Sequence, residues 1–145
     1  MKRFTRFVSF FLLAVMLFST VALALDDAST WASNYFGASS VYLYKTSGTT
    51  FQVWFDVQAV RSMDELGASV IKVQRSSDGE NWTTMKTYSK ADYPDMICEN
   101  TIRHASCVTY TGTAGYYYRA YVELYAKKDT GTAYMPEYTS SMLLS

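Results

Sequence analysis

Apolar and polar side chains alternate most clearly over residues 51–59. A period of two is typical of a β-strand that has one buried face and one mostly solvated face. The inward side of this predicted strand carries Phe51, Val53, Phe55, Val57 and Ala59, and the outward side carries Gln52, Trp54, Asp56 and Gln58.

A second alternating segment, residues 116–126, predicts another long strand. Its even positions (Tyr116, Tyr118, Ala120, Val122, Leu124 and Ala126) form one side. The other side carries Tyr117, Tyr121 and Tyr125, so we expect a row of tyrosine rings there. The strand predicted at 69–75 should lie beside it and present Lys72 on the same outer side.

The remaining pattern predicts short strands separated by turns. Asp78-Gly79 between two strand-like runs is a strong hairpin signal, because glycine accepts a positive φ. Residues 61–68 are expected to form a connector, and 89–105 a long irregular segment. No helical period follows the N-terminal segment. Together with the two strands above, five further segments predict about seven strands: 40–44, 69–75, 82–88, 106–111 and 133–144. This order indicates an all-β antiparallel sandwich of two sheets, or a barrel.

The N-terminus has the three parts of a signal peptide. Lys2, Arg3 and Arg6 precede an apolar run over residues 7–18, and Ala22-Leu23-Ala24 offers a cleavage site. We expect cleavage after Ala24, then a polar lead-in over 25–39 and a domain over 40–145. The alternative is an uncleaved membrane anchor, for which the apolar run is barely long enough.

Cleavage would leave ten basic and thirteen acidic residues, a net charge of −3 with histidine neutral. A mildly acidic domain without a basic run argues against nucleic acid or an anionic membrane as partner. We expect a secreted, extracellular or cell-surface protein that is monomeric and has no membrane contact after cleavage. Thirteen tyrosines and three tryptophans suit pleated, half-buried β surfaces.

Two cysteines in an exported chain predict one disulfide, Cys98–Cys107. It would close a short loop and stabilise the domain by about 2–3 kcal/mol. The alternative is a pair of free thiols, since sequence does not supply the required Cα separation.

Residues 108–122 (VTYTGTAGYYYRAYV) resemble the end of a fibronectin type III domain. The resemblance places Tyr118, three residues after Gly115, at the tyrosine corner of this family, where the ring points inward and the hydroxyl bonds to backbone. The third strand and hairpin of the family are similar to residues 71–82, and the resemblance covers about 50–140. One departure is that Phe55 occupies the usual place of an inward tryptophan, and Trp54 takes the opposite face.

More closely, the chain resembles a group of small secreted proteins from Gram-positive bacteria. The recurring residues are MDELGA at 63–68, QRSSDG at 74–79 and the segment 116–126. This resemblance implies a secreted bacterial protein and no particular activity.

No motif predicts catalysis, a metal site or a cofactor. The single histidine, His104, falls in the irregular segment without a recognisable nucleophile. Asp78, Glu80 and Asn81 lack the spacing of a calcium loop and suit turn chemistry. We therefore expect a non-enzyme, with a small hydrolase as the least favoured alternative.

The outer tyrosines carry the one functional hypothesis. Tyr117, Tyr121, Tyr125 and Lys72 could bind an extracellular protein, because tyrosine is favoured at interfaces. The same rings could instead stack on sugars of a cell-surface glycan. A third possibility is that they only stabilise the sheet through cross-strand pairs.

Overall fold

A computed structural model describes residues 34–145, in which seven antiparallel strands form one curled sheet, a half-barrel. The predicted signal peptide, 1–24, lies outside the described residues. The elements in order are β1 (Phe36–Ser47), β2 (Thr50–Ser76), β3 (Thr83–Ser89), a short 3-10 helix (Pro94–Met96), β4 (Ile97–Thr111), β5 (Tyr117–Lys128), β6 (Gly131–Tyr138) and β7 (Met142–Leu143). The all-β prediction is confirmed.

Strand β2 organises the sheet because it pairs with four other strands. Its first part, residues 50–58, lies between β1 and β4. Its last part, 65–76, pairs with β5 on one side, and from residue 70 it pairs with β3 on the other. Strand β6 adds to β5. We call β1, β4 and the first part of β2 the first wall, and β3, β5, β6 and the last part of β2 the second wall.

The two walls face each other because β2 doubles back. The ring centroids of Phe51 and Tyr118 lie 5.3 Å apart, although Tyr118 pairs with Arg75 at the far end of β2. A straight strand would hold residues 51 and 75 about 80 Å apart. Register shifts fall where β2 bends, between Gln58 and Met63 against β4 and between Ala68 and Val70 against β5.

The core fills the space between the walls, and full burial of each large apolar side chain contributes about 1.5–3 kcal/mol. The alternation predicted for 51–59 is confirmed, since its five inward residues are almost fully buried while Trp54 lies half-exposed on the other face. The second wall supplies Ile71, Val73, Tyr118, Ala120, Val122 and Leu124, each at most 1% exposed.

Two predictions were wrong in part: a connector at 61–68 and an irregular segment at 89–105. Residues 61–68 continue β2, because Met63 and Leu66 are buried and pair with β4. Only 90–96 is irregular or 3-10, and β4 begins at Ile97. The apolar side chains of 61–68 point into the core without strict alternation, so the pattern there did not indicate a strand.

The ends of the domain also differ from expectation. Strand β1 begins at Phe36, inside the segment expected as a lead-in, and Tyr35 and Phe36 are both buried. The single last strand predicted over 133–144 divides into β6 and β7. The predicted hairpin is present between β2 and β3, and Gly79 has φ +78°. Among the described strands, β3 pairs with β2 alone and is therefore an edge strand, and this pairing has a register shift.

The predicted disulfide is wrong, because Cys98 and Cys107 are free thiols on the same strand, β4. Their partners across the sheet are Leu66 and Trp54. Nine steps along an extended strand span up to about 30 Å between Cα atoms, far beyond the Cα separation of up to about 7 Å that a disulfide tolerates. The segment that the bond was expected to close into a loop is a continuous strand.

Candidate binding faces

Tyr118 lies in the core and links β5 to the turn that precedes it. Its side chain is 1% exposed, and its ring packs against Phe51 and Tyr110. The backbone N–H of Thr113 donates to the Tyr118 hydroxyl at 2.9 Å. A buried hydroxyl that closes the turn in this way gives Tyr118 a structural role.

Two of the three outward tyrosines lie on the outer side of the second wall and are half-buried, Tyr117 and Tyr121. Lys72 is exposed and stands directly opposite Tyr121 across β2 and β5. The Lys72 ammonium lies 5.4 Å from the centre of the Tyr121 ring. The structure therefore brings Lys72 and Tyr121 together, as the predicted strand pairing required.

Tyr125 does not line an open surface, and the expectation that it does was wrong. It is only 4% exposed. The Lys90 ammonium lies 3.7 Å from its ring centre, and the Tyr134 ring packs against it at 5.4 Å. Lys90 is held there by Glu65, whose carboxylate also binds Lys127. Lys90 and Tyr134, which are distant from β5 in sequence, cover the ring. The alternation within β5 could not predict these contacts.

A larger cluster extends from Tyr121 across the second wall. The Arg119 guanidinium lies over the ring of Trp82 at 4.3 Å and over that of Tyr138 at 4.7 Å. Tyr138 in turn packs edge-on against Tyr121 at 5.2 Å. We call these residues the cation–aromatic face: Lys72, Trp82, Arg119, Tyr121 and Tyr138. Sequence reasoning missed Trp82 and Tyr138 because Trp82 lies just before β3, outside the strands, and Tyr138 reaches Tyr121 only through the pairing of β5 with β6.

Hydrogen bonds fix the arginine and the tyrosine of this face. Arg119 Nε donates to Gln74 Oε1 at 2.8 Å. The Tyr121 hydroxyl donates to Glu123 at 3.3 Å, and the other carboxylate oxygen of Glu123 accepts from Ser69 at 2.6 Å. Partial burial and the negative charge of Glu123 raise the pKa of Tyr121. The face is therefore ordered before any ligand binds.

The first wall carries a different aromatic group on its outer side. The rings of Tyr42 and Trp54 are parallel within 3°, with centroids 6.4 Å apart. Trp54 Nε1 donates to Gln52 Oε1 at 2.9 Å, and Tyr42 is 47% exposed. We call Tyr42 and Trp54 the aromatic platform. The outward side of 51–59 already contained Trp54, but a bulge between Lys45 and Ser47 sets the register that brings Tyr42 opposite it.

A polar pocket lies beside the aromatic platform. Its volume is about 200 Å³, and its lining comprises Ala38, Ser39, Ser40, Asp56, Gln58 and Arg103. Arg103 Nε donates to Asp56 Oδ1 at 2.9 Å, and a second guanidinium nitrogen contacts the other carboxylate oxygen. This hydrogen bond from Arg103 lowers the pKa of Asp56. The two side chains therefore form a bidentate ion pair at the pocket wall.

The other residues considered for chemistry have structural partners. His104 lies on β4, not in an irregular segment, and its Nε2 bonds to the backbone carbonyl of Asp95 at 2.9 Å. The Asp78 carboxylate accepts hydrogen bonds from the backbone and side chain of Asn81 and from Ser76 and the Glu80 amide. Within 34–145, no group of three or more His, Cys, Asp or Glu side chains is placed to hold a metal ion.

Comparisons with protein-family models, with curated proteins and with solved structures each return no match. Over the part of the chain that the structure describes, no helix has both the length and the hydropathy to cross a membrane. Function is therefore inferred from the geometry of the two outer faces.

Proposed function

We propose that this chain is a secreted, non-catalytic interaction module that binds another extracellular protein through the cation–aromatic face. The module acts outside the cell or at its surface, as a monomer. Its fold would be a two-sheet sandwich of the fibronectin type III or immunoglobulin kind, and the two walls of the curled sheet would correspond to the two sheets.

The fold assignment is supported by Tyr118. Its buried ring, and its hydroxyl bonded to the backbone five residues upstream, are the arrangement expected of a tyrosine corner. The inward Phe55 and outward Trp54 are compatible with a member of the family that lacks the usual inward tryptophan.

The binding assignment rests on one observation, the composition of the ordered cation–aromatic face. Tryptophan, tyrosine and arginine are the residues that contribute most to protein–protein binding energy, and here they form one contiguous group. Tyr138, on the outermost strand of this wall, is 56% exposed, so burial against a partner would remove much apolar area from water. Neighbouring strands already fix these side chains, so little conformational entropy is lost on binding.

Glycan binding by the same face is less well supported. Stacking on a sugar needs an open ring face, and Arg119 already lies over Trp82 and Tyr138. Lys72 likewise lies over Tyr121. These rings stand in a cation–aromatic stack, which favours a protein partner with acidic and apolar groups.

The proposal is tested with the full exported chain immobilised and exposed to culture medium and cell-surface extract. A captured protein is identified, purified and titrated against the wild type and three alanine variants, at Tyr138, Tyr121 and Tyr44. Tyr138→Ala should weaken binding by about 2 kcal/mol, roughly thirtyfold, as expected for an aromatic side chain that is buried against the partner. Tyr44→Ala, an exposed tyrosine of the first wall, is the matched control and should bind as the wild type does. Equal affinity of the Tyr138 and Tyr121 alanine variants and the wild type would exclude this face.

A further inference from the structure

We infer that the outer side of the first wall holds a separate binding site for an uncharged saccharide chain built of pyranose rings. One ring would stack on the aromatic platform, and the next would enter the polar pocket. This site lies on a different wall from the cation–aromatic face, so it goes beyond the proposed function and does not depend on it.

The aromatic platform differs from the cation–aromatic face in that its two rings stack on each other and not on a cation. Among the described residues, the cation–π contacts involve neither Tyr42 nor Trp54. The two rings are parallel within 3°, and the bond to Gln52 fixes the orientation of the indole. Flat apolar ring faces held in advance suit the C–H face of a pyranose, which is apolar while its rim of hydroxyls is polar.

The sheet register places the polar pocket immediately beyond the aromatic platform. Asp56 follows Trp54 by two residues on the same face of β2, and Ser40 precedes Tyr42 by two residues on β1. Positions two apart on a strand are separated by about 7 Å, the scale of one ring to its neighbour in a linked chain. Small side chains opposite Gln58 and Asp56, Ala38 and Ser40, leave the pocket open toward β1.

The polar groups of the pocket match the hydroxyls of a sugar. A vicinal diol both donates and accepts hydrogen bonds, and the pocket offers both functions. The Asp56 carboxylate accepts, Arg103 has further N–H groups beyond those bonded to Asp56, and the Gln58 amide does both. A pocket of about 200 Å³ is smaller than the roughly 300–1,000 Å³ of sites for drug-sized ligands, and it therefore suits a single ring.

Charge favours an uncharged ligand. Among the described residues that line the pocket, Asp56 is the one acidic and Arg103 the one basic side chain, and their ion pair neutralises both. A carboxylate or phosphate on the ligand would have to compete with Asp56 for Arg103, and an amine would have to compete with Arg103 for Asp56. Neutral hexose or N-acetylhexosamine units avoid that competition.

The test is a nuclear magnetic resonance titration of the full ¹⁵N-labelled chain with four neutral pentasaccharides: those of cellulose, chitin, starch and mannan. Ligand is added to about 20 mM, which saturates sites with millimolar Kd. The expected result is a saturable shift of the Trp54 indole N–H and of backbone amides in 38–44, 52–58 and 103–107, with at least one of the four sugars.

Four variants separate the contributions of stacking, hydrogen bonding and the other wall. Trp54→Ala should weaken saccharide binding at least tenfold, and Trp54→Phe should retain most of it because a flat ring remains. Gln58→Ala changes an exposed side chain and should weaken binding severalfold without affecting folding. Tyr138→Ala, on the other wall, should bind sugar as the wild type does even where it loses the protein partner.

Several outcomes would overturn the inference. These are no saturable shift with any of the four sugars, shifts centred on Tyr121 and Tyr138, or unchanged affinity in Gln58→Ala and Tyr42→Ala. The Gln58→Ala and Tyr42→Ala variants remain decisive even if Trp54→Ala fails to fold, because Gln58 and Tyr42 are both exposed. Loss of the protein partner in Tyr138→Ala tests only the proposed function. Failure of the protein-binding proposal would therefore not affect the saccharide inference, and the reverse also holds.

Discussion

Replacing Gly67 with alanine should destabilise the domain more than any other glycine-to-alanine change at a turn or bend. A Cβ atom at this position would lie 1.9 Å from the carbonyl oxygen of Met96 and 3.0 Å from the Cα of Ile97. Both neighbours are backbone atoms, so no side chain can rotate away. The strands β2 and β4 would have to separate by about a further ångström where Gly67 pairs with Ile97.

The expected decrease in the free energy of unfolding follows from the contacts that this separation of β2 and β4 disrupts. One or two ladder hydrogen bonds near Gly67 would weaken, at about 0.5–1.5 kcal/mol each. Met96, only 1% exposed, would be partly withdrawn from the core, where full burial of such a side chain is worth about 1.5–3 kcal/mol. We therefore expect a loss of about 3–5 kcal/mol, a large part of the roughly 5–15 kcal/mol that stabilises a typical domain.

The assay is equilibrium urea unfolding followed by intrinsic fluorescence, with Gly115→Ala as the matched control. Gly115 has φ +84°, and a Cβ atom added there would have no neighbour within 4 Å among the described residues. Alanine at 115 therefore suffers only backbone strain of about 1–2 kcal/mol. A Gly67→Ala variant that is no less stable than Gly115→Ala would refute the close approach of the β2 and β4 backbones at Gly67.

Three further predictions concern single side chains. Tyr118→Phe should lower the free energy of unfolding in urea by about 1–3 kcal/mol, because a part-buried backbone N–H loses its acceptor. The same change at an exposed tyrosine of β6 should leave the free energy of unfolding unchanged within measurement. Cys98 and Cys107 should both react with a thiol reagent in the unfolded chain without prior reduction, and a reductant should leave the Tm unchanged. Hydrogen bonds led by that from the Asn81 side chain hold the pKa of Asp78 below its usual range. The ionised carboxylate therefore stabilises the fold above about pH 4, the unfolded value, and this is lost as pH falls through the folded value. Asp78→Asn should lower the Tm at pH 7, and the difference from wild type should shrink at strongly acidic pH.

Strand positions with strict alternation could be predicted from sequence because one face of each strand meets the core. This holds for 51–59 and for 117–124, where burial follows the period of two. The hairpin at Asp78-Gly79 could also be predicted from sequence, since its geometry depends on adjacent residues. Local chemistry determined these elements, so a local pattern was sufficient to find them.

The bend of β2 could not be predicted because its cause lies in distant residues. Gly67 has the appearance of a turn glycine, yet it lies within a strand where another backbone passes too close for a Cβ atom. That neighbour, Met96, is 29 positions away and was expected in an irregular segment. The same reason explains the disulfide error, because Cys98 and Cys107 join a long strand only through pairing with β2.

The candidate sites show the same division. Tyr121 and Lys72 were predictable as a cross-strand pair from two alternating strands, and they lie opposite each other. Tyr138 joins them through the pairing of β5 with β6, and Trp82 joins them through Arg119, which lies over both rings. No sequence period encodes either contact. The Tyr42–Trp54 pair needed the register of one bulged hairpin.

Because β2 runs through both walls, the two proposed faces share a scaffold but are separable by mutation. Trp54 and Lys72 point outward from the same strand, yet the bend between them directs them away from each other, since the inner sides of the walls meet at Phe51 and Tyr118. A protein partner and a saccharide could then be held at the same time without competing for surface. It follows that Trp54→Ala should weaken only saccharide binding and Tyr138→Ala only protein binding, whereas Gly67→Ala, which disturbs the bend, should weaken both together. Loss of both interactions in either single-face variant would mean that the faces are one site or that the walls are not independently stable.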